Sequence, residues 1–546
     1  MPPATTTPSA RRLRPRSAAF WTLLLALLLA PNAWRWWLAP QDSQAAFGLL
    51  TGLLCVLAVS WLWRGSRRGL ALLLTPLVLA AAVDLVHGLD YGAHLGPGGL
   101  AVILDTHPSE AREYLTLASR SALPVAGVYL TGLALLLWLA DGGRLHWPRR
   151  LRRAAPLLLA ALLVDYAAKG SSRYSFPLSL ARAGSEYIGQ THRLAALQRR
   201  AAHVHFDARK AAPADNEVYV LVLGESLRRD HMSLYGYPRP TTPRLAAQDH
   251  LLAFRDVTAG ATQTRNALKM ILSPATPRDL GAFYTRGNLV QLAREAGFDV
   301  VWLSNQGQYG KHDTEVTKIA TDADARHFTN TDWDTTSLDG RLLPPFRTAL
   351  RERRRPLLVV VHLLGSHAAY QRRFPPERAR FSRRPRPMPV DYYDDSVRYT
   401  DWVLDRLLAA WRAERPHGCL VFTADHAEYL ADDGPGYGHG FPRPRRQELE
   451  VPLLVTCSAA WRARHPRLWQ AMRHNTGRPV SNIDLFYGMA TLLGIDFPAH
   501  RPARDPFSPR YQPPRQRLAL RPDGRPLAYE ALLGEQRKVA LGAGRD

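Results

Sequence analysis

The stretch Val218-Tyr219-Val220-Leu221-Val222-Leu223-Gly224-Glu225-Ser226 decides how this 546-residue chain is read. Its apolar run lacks the alternation of a half-buried strand, so it predicts a strand covered on both faces, ending in a turn that carries a carboxylate. Downstream the same arrangement recurs. Val300 to Leu303 ends in Ser304-Asn305-Gln306, Leu357 to His362 leads to Leu364-Gly365-Ser366-His367, and Leu420 to Thr423 leads to Ala424-Asp425-His426-Ala427-Glu428. A further run spans Val451 to Thr456, and helical stretches separate the runs. The region predicts an α/β domain over residues 216–546, with a mostly parallel sheet sandwiched by helices.

In open α/β sheets the ligand site lies outside the carboxyl ends of the strands. The four turns would bring together the carboxylates of Glu225 and Asp425, the amide of Asn305, and the imidazoles of His367 and His426. Asp, Glu and His are suitable ligands for zinc or a related divalent ion. Singly, Glu225 or Asp425 reads as a helix cap, and an Asp-His pair reads as structural. Their coincidence at four strand ends favours a metal site.

A nucleophile is expected after Phe254. Thr258, Thr262 and Thr264 precede Arg265 to Ser273, where apolar residues at 267, 268, 271 and 272 repeat with helical spacing. Thr264 is expected at the helix N-cap, its oxygen and the orphan N–H groups facing an incoming phosphate. A threonine hydroxyl is inert until activated, so coordination to the metal would have to lower its pKa. Without the metal constellation, Thr264 reads as a plain cap.

Residues 1–170 are apolar in a different way. A membrane-spanning helix needs about 20 largely apolar residues. Five segments approach this: Phe20 to Leu38, Ala45 to Trp63, Gly69 to Leu89, Ser121 to Ala140 and Ala154 to Ala168. Arginines flank alternate ends, at Arg11, Arg12, Arg14 and Arg16, then Arg64, Arg67 and Arg68, then Arg144, Arg149, Arg150, Arg152 and Arg153. Because Lys and Arg near span ends stay on the cytoplasmic side, the N-terminus is expected inside and everything after the fifth span outside. Residues 171–215 mix aromatic, aliphatic and basic side chains and read as interfacial helices linking membrane to enzyme.

The net charge of +24 is almost wholly arginine, lysine appearing only at Lys169, Lys210, Lys269, Lys311, Lys318 and Lys538. Such a chain is attracted to anionic lipid. Scattered basic residues without a binding motif argue against nucleic acid. Cys55 lies in an apolar run. Cys419 and Cys457 can pair in an oxidising compartment, but their strand-like surroundings favour two buried free thiols.

The spans, Val220 to Ser226, the Thr264 helix, Gly365-Ser366-His367, Asp425-His426 and Gly438-His439-Gly440 together resemble the bacterial phosphoethanolamine transferases of the alkaline phosphatase and sulfatase superfamily. The resemblance implies that Glu225, Thr264, Asp425 and His426 bind a catalytic Zn2+. It implies that His367 and His439 hold a second metal or the phosphoethanolamine group, that Asn305 contacts phosphate, and that Glu110 lies in a loop near the donor lipid. It further implies a bacterial inner-membrane protein whose periplasmic domain takes phosphoethanolamine from phosphatidylethanolamine onto Thr264, then passes it to lipopolysaccharide or another envelope glycan. Two departures stand out. Tyr393-Asp394-Asp395-Ser396 carries Asp395 where the family has Asn, and the paired cysteines of the lipid A-modifying branch are missing, which favours core sugars as acceptor. A phosphoglycerol transferase or a membrane-tethered phosphodiesterase is the nearest alternative. Sulfatase chemistry is disfavoured because the Thr264 segment lacks the Cys or Ser, Pro and Arg spacing needed for formylglycine. Retention of Glu225, Thr264, Asp425 and His426 together argues against a non-catalytic binding protein.

Overall fold

The computed structural model describes residues 15–38, 43–91, 94–96, 100, 103–104, 119–168, 175–200, 204–210, 217–307, 315–330, 337–352, 356–414, 416–434, 436–441 and 443–534. They fall into two compact units, one up to Leu100 and from Ala118 to Tyr187, the other mainly from Ile188 onward.

In the first unit, α1 (Pro15–Leu38), α2 (Ser43–Leu62), α3 (Arg67–Tyr91) and α4 (Ser119–Leu139) are long and apolar enough to cross a membrane. Leu24, Leu28, Leu70, Val78 and Leu136 pack inward, while Leu72, Leu123, Val128, Leu130 and Trp138 face outward. Helices apolar all round suit hydrocarbon, where each must satisfy its own backbone groups. The buried Asn32 of α1 is matched on both halves of its amide: Nδ2 donates to the Phe176 carbonyl at 2.8 Å, and the Phe176 N–H donates to Oδ1 at 3.0 Å. The fifth expected span forms as α5 (Arg149–Ala167). Arg149, Arg150, Arg152 and Arg153 occupy its start and Asp165 its end, so four helices among the described residues, not five, are apolar enough to span. The expected interfacial stretch contributes α6 (Leu178–Arg200); its residues 171–174, 201–203 and 211–215 lie outside the described ones.

The second unit is built on seven strands: β1 (Val218–Gly224), β2 (Leu252–Phe254), β3 (Asp299–Gly307), β4 (Ala325–Asn330), β5 (Leu357–His362), β6 (Cys419–Ala424) and β7 (Leu453–Cys457). Their spatial order is β2-β7-β6-β1-β5-β3-β4. β6, β1, β5, β3 and β4 run parallel, while β7 is antiparallel to both its neighbours. Every residue of β1, β5 and β6 is buried, as expected for strands covered on both faces. Register pairs Gly224 with Ala424, Leu223 with His362, and His362 with Ser304. β1, β5 and β6 thus end level while β3 runs on to Gly307, and the residues that follow or close these strands open on one edge.

β6 and β7 also correct the reading of the cysteines. Cys419 and Cys457 lie directly opposite across the antiparallel pair and form a disulfide, with Cα atoms 4.0 Å apart. Cys55 is a buried free thiol.

Candidate active site

Backbone bonds stitch the strand-end turns together. Asp425 N–H donates to the Gly224 carbonyl at 3.0 Å, Leu227 N–H to the His426 carbonyl at 3.1 Å, and Ser366 N–H to the Glu225 carbonyl at 3.0 Å. Gly365 has φ +58°, and a Cβ there would lie 2.6 Å from the Glu225 carbonyl oxygen, so only glycine lets the β5 turn approach so closely. Ser226 also adopts a left-handed φ of 55°. That strained residue is held on three sides: its N–H donates to Asp425 Oδ1 at 3.1 Å, its hydroxyl to Glu225 Oε1 at 3.0 Å, and its carbonyl accepts from Tyr393 at 2.7 Å.

These constraints aim four side chains at one point. Thr264 Oγ1 lies 3.1 Å from each Glu225 carboxylate oxygen and 3.2 Å from His426 Nε2. His426 Nε2 is 3.3 Å from Glu225 Oε1 and 3.3 Å from Asp425 Oδ2. His426 Nδ1 lies 3.0 Å from the Ala427 carbonyl, which fixes the proton on Nδ1 and leaves Nε2 a lone pair. Asp425 Oδ1 accepts from the N–H groups of Ser226 and His426, whereas its buried Oδ2 has no hydrogen-bond partner. Asn482 steadies this turn by donating to the Ala424 carbonyl at 3.0 Å. Burial and the Asp425 charge push the Glu225 pKa well up, burial raises that of Asp425, and burial with the neighbouring His439 pushes His426 down to about 3. Two buried carboxylates, a hydroxyl and a neutral imidazole around one point, with a carboxylate oxygen left unpartnered, fit a divalent cation.

A second group adjoins the first. The His439 ring centre lies 4.1 Å from that of His426, the two planes tilted by 44°, and His367 lies 5.7 Å from His439. His439 Nδ1 is 2.8 Å from the fully buried Glu428, whose other oxygen accepts from Tyr370 at 2.8 Å. Burial disfavours the His439 imidazolium, but the Glu428 carboxylate outweighs it and raises the pKa. Burial and His439 push His367 well down. His426, Glu428 and His439 form another set able to hold a cation.

Thr264 is the first residue of α7 (Thr264–Ile271), and Gln263 holds the cap position. The expected N-cap is therefore one residue off, and the Thr264 hydroxyl turns outward to Glu225 instead of back onto the helix amides. Asn305 is also turned away. Its Nδ2 donates to Asp339 at 2.9 Å and the Ser337 carbonyl at 3.3 Å, and its Oδ1 accepts from Thr329 and Ser337 at 2.8 and 2.6 Å. Asp339 in turn accepts from the N–H groups of Leu364 and Gly365, so Asn305 braces the turn that carries His367. Gln306 faces the site instead, with Nε2 3.5 Å from Glu225 Oε2. Glu110 lies outside the described residues. Residues given no role from sequence now have positions: Glu428 orients His439, Gln306 faces Glu225, and Asp395 accepts from the N–H groups of Arg380, Phe381 and Ser382 and from the Ser382 hydroxyl. The signal for Glu428 was its place two residues after His426; an Asn at 395 would offer that loop one acceptor oxygen instead of two.

Residues 217–495 match the sulfatase family. The phosphoethanolamine transferase EptC of Escherichia coli O18:K1:H7 is 26% identical over 471 residues, covering 79% of this chain and 81% of that protein. The C-terminal periplasmic domain of Escherichia coli EptC, solved in complex with zinc, superposes with a TM-score of 0.57 at 26% identity, covering 60% of this chain and 97% of that domain. The integral membrane lipooligosaccharide phosphoethanolamine transferase A (EptA) of Neisseria meningitidis shares the fold, with a TM-score of 0.64 at 20% identity over 91% of this chain and 99% of that protein.

Proposed function

The chain belongs to the sulfatase family and is a transferase of the alkaline phosphatase superfamily, and from that premise we propose that it moves phosphoethanolamine from phosphatidylethanolamine to an envelope glycan through Thr264. The observation that carries this is the Thr264 hydroxyl, 3.1 Å from both Glu225 oxygens and 3.2 Å from His426 Nε2. The head group comes from the relatives that align over most of the chain.

Glu225, Asp425, His426 and Thr264 are the residues to hold Zn2+, which when bound lowers the pKa of a hydroxyl and offsets charge on phosphoryl oxygens. Thr264 Oγ1, its proton released to solvent beforehand, attacks phosphorus as an alkoxide; the Oγ1–P bond forms as the P–O bond to diacylglycerol breaks. The Nε2 proton of His439, kept on the ring by Glu428, passes to the departing oxygen. An acceptor hydroxyl or phosphate then attacks the phosphoethanolamine-threonine. Neutral His439 takes the proton of a hydroxyl acceptor, and Thr264 Oγ1 leaves. His367 and Gln306 line the remaining approach and are assigned to the ethanolamine phosphate.

The test uses the full chain in detergent. Diacylglycerol is expected from phosphatidylethanolamine and not from phosphatidylglycerol, and lipopolysaccharide or another envelope glycan should gain the mass of phosphoethanolamine only when the gene is present. Release from phosphatidylglycerol alone would make the protein a phosphoglycerol transferase. Steady release without acceptor modification would make it a phosphodiesterase.

We also place the catalytic unit, residues 216–546, on the periplasmic side of the inner membrane, with residues 1–170 spanning it and 171–215 joining the two. This orientation takes α5 as the fifth crossing, with Arg149, Arg150, Arg152 and Arg153 held at its cytoplasmic end and Ala154 to Ala168 passing through the bilayer, in line with the arginine flanks. A reporter fused after Asp215 is expected outside the cytoplasm and one fused near Arg67 inside; a cytoplasmic Asp215 fusion would refute the placement.

A further inference from the structure

Away from the strand-end site, the helix α8 (Pro389–Ala413) forms one wall of a cavity of about 340 Å³, a size typical of small-ligand sites. Arg244, Arg378, Arg380, Arg383 and Arg398 line it, with Trp402 and a single acidic residue, Glu377. Arg244 lies 3.5 Å from Asp401. Among the described residues the other four make no ion pair: Arg383 donates to the Glu377 carbonyl and Arg398 to the Pro240 carbonyl, each at 2.9 Å.

The acidic side chains of α8 are committed elsewhere. Asp394 accepts from His231, Tyr237 and Arg239, Asp401 from the N–H groups of Arg244 and Leu245, and Asp395 from the backbone of residues 380–382. Asp395 therefore fixes the loop that presents Arg380 without neutralising its guanidinium. Arg378 is held 4.0 Å over the Trp402 ring, and Trp402 stacks on Tyr399 at 5.5 Å. Burial, then repulsion from Arg380 and Arg244, lowers the Arg398 pKa. Like charges held together by structure, of which Arg244 alone is paired among the described residues, through Asp401, form a site suited to an anion. Guanidinium forks match phosphate oxygens in pairs.

We propose that this cavity binds a phosphomonoester carried on a sugar ring, the phosphate meeting the arginines and the sugar filling the remaining volume. The role of that sugar phosphate as part of the acceptor rests on the transfer reaction proposed above; its binding does not. The same helix also reaches the transfer site, since Ser396 donates to the Ser366 hydroxyl at 2.9 Å and Tyr393 to the Ser226 carbonyl.

Calorimetry on the full chain in detergent, with glucose 6-phosphate, inorganic phosphate and glucose as probes, tests this. Glucose 6-phosphate should bind at least tenfold more tightly than inorganic phosphate, and glucose should give no heat. Arg380 and Arg383 are exposed, so Arg380→Gln with Arg383→Gln should keep the fold, and should weaken glucose 6-phosphate at least tenfold; Arg398→Gln should do the same. Thr264→Ala should bind it like the wild type. Unchanged affinity in the arginine variants, lost affinity in Thr264→Ala, or equal affinity for inorganic phosphate would overturn the proposal. Absence of diacylglycerol release in the wild type would count against the transfer reaction, not the cavity.

Discussion

Thr264→Ala is expected to lower transfer by roughly three orders of magnitude or more, the scale on which removal of a covalent nucleophile acts. After incubation with phosphatidylethanolamine and no acceptor, a wild-type tryptic peptide containing Thr264 should gain the mass of a phosphoethanolamine group, and the alanine variant should not. The substitution deletes one hydroxyl and leaves Glu225 and His426 in contact with each other, so the loss reports chemistry and not a collapsed site. Thr264→Ser restores the oxygen and should recover a measurable fraction of both adduct and activity. Thr262 is the internal control: its Oγ1 is buried without a hydrogen-bond partner and meets none of the four converging side chains. An adduct on Thr262, or normal transfer by Thr264→Ala, would end the covalent mechanism as drawn.

The second large effect concerns the metal. Asp425→Asn keeps the acceptor that the Ser226 and His426 N–H groups use, so the turn should survive, but it replaces the unpartnered Oδ2 with an uncharged NH2 that carries no lone pair for a cation. Purified wild-type chain is expected to retain zinc through dialysis, and Asp425→Asn to retain less than about a tenth as much, in line with loss of a direct ligand. Mass-spectrometric metal analysis reads the result. Undiminished zinc in the variant would remove Asp425 from the ligand set, and a wild type that binds no zinc after chelation and re-addition would remove the cation from the mechanism.

What could be read in advance followed the strength of the local pattern. β1, β5 and β6 were legible because burial on both faces leaves unbroken apolar runs, and the turns that follow them carry Glu225, His367, Asp425 and His426. β4 was not, since Arg326 and His327 break any apolar run and only its pairing with β3 makes it a strand. Asn305 and Gln306 show the limit of period-two reasoning: the register of β3 shifts between Ser304 and Gly307, and at such an irregularity the sequence does not say which neighbour faces the site. The cysteine pair was hidden for a related reason. Both residues were correctly set in strands, but a separation of 38 residues does not reveal that the strands are antiparallel neighbours in matching register. The cap of α7 missed by one position because helix ends are the least determined part of a helical pattern.

The bond between Cys419 and Cys457 has a consequence beyond the sheet it crosses. Thiols stay reduced in the bacterial cytosol and are oxidised beyond the inner membrane. On the periplasmic placement proposed above, a molecule of this protein therefore carries a chemical record of the side on which its second unit matured. Copies stranded before export would hold two free sulfhydryls between the same strands that exported copies have closed, so one population could be told from the other, after unfolding, without any added tag.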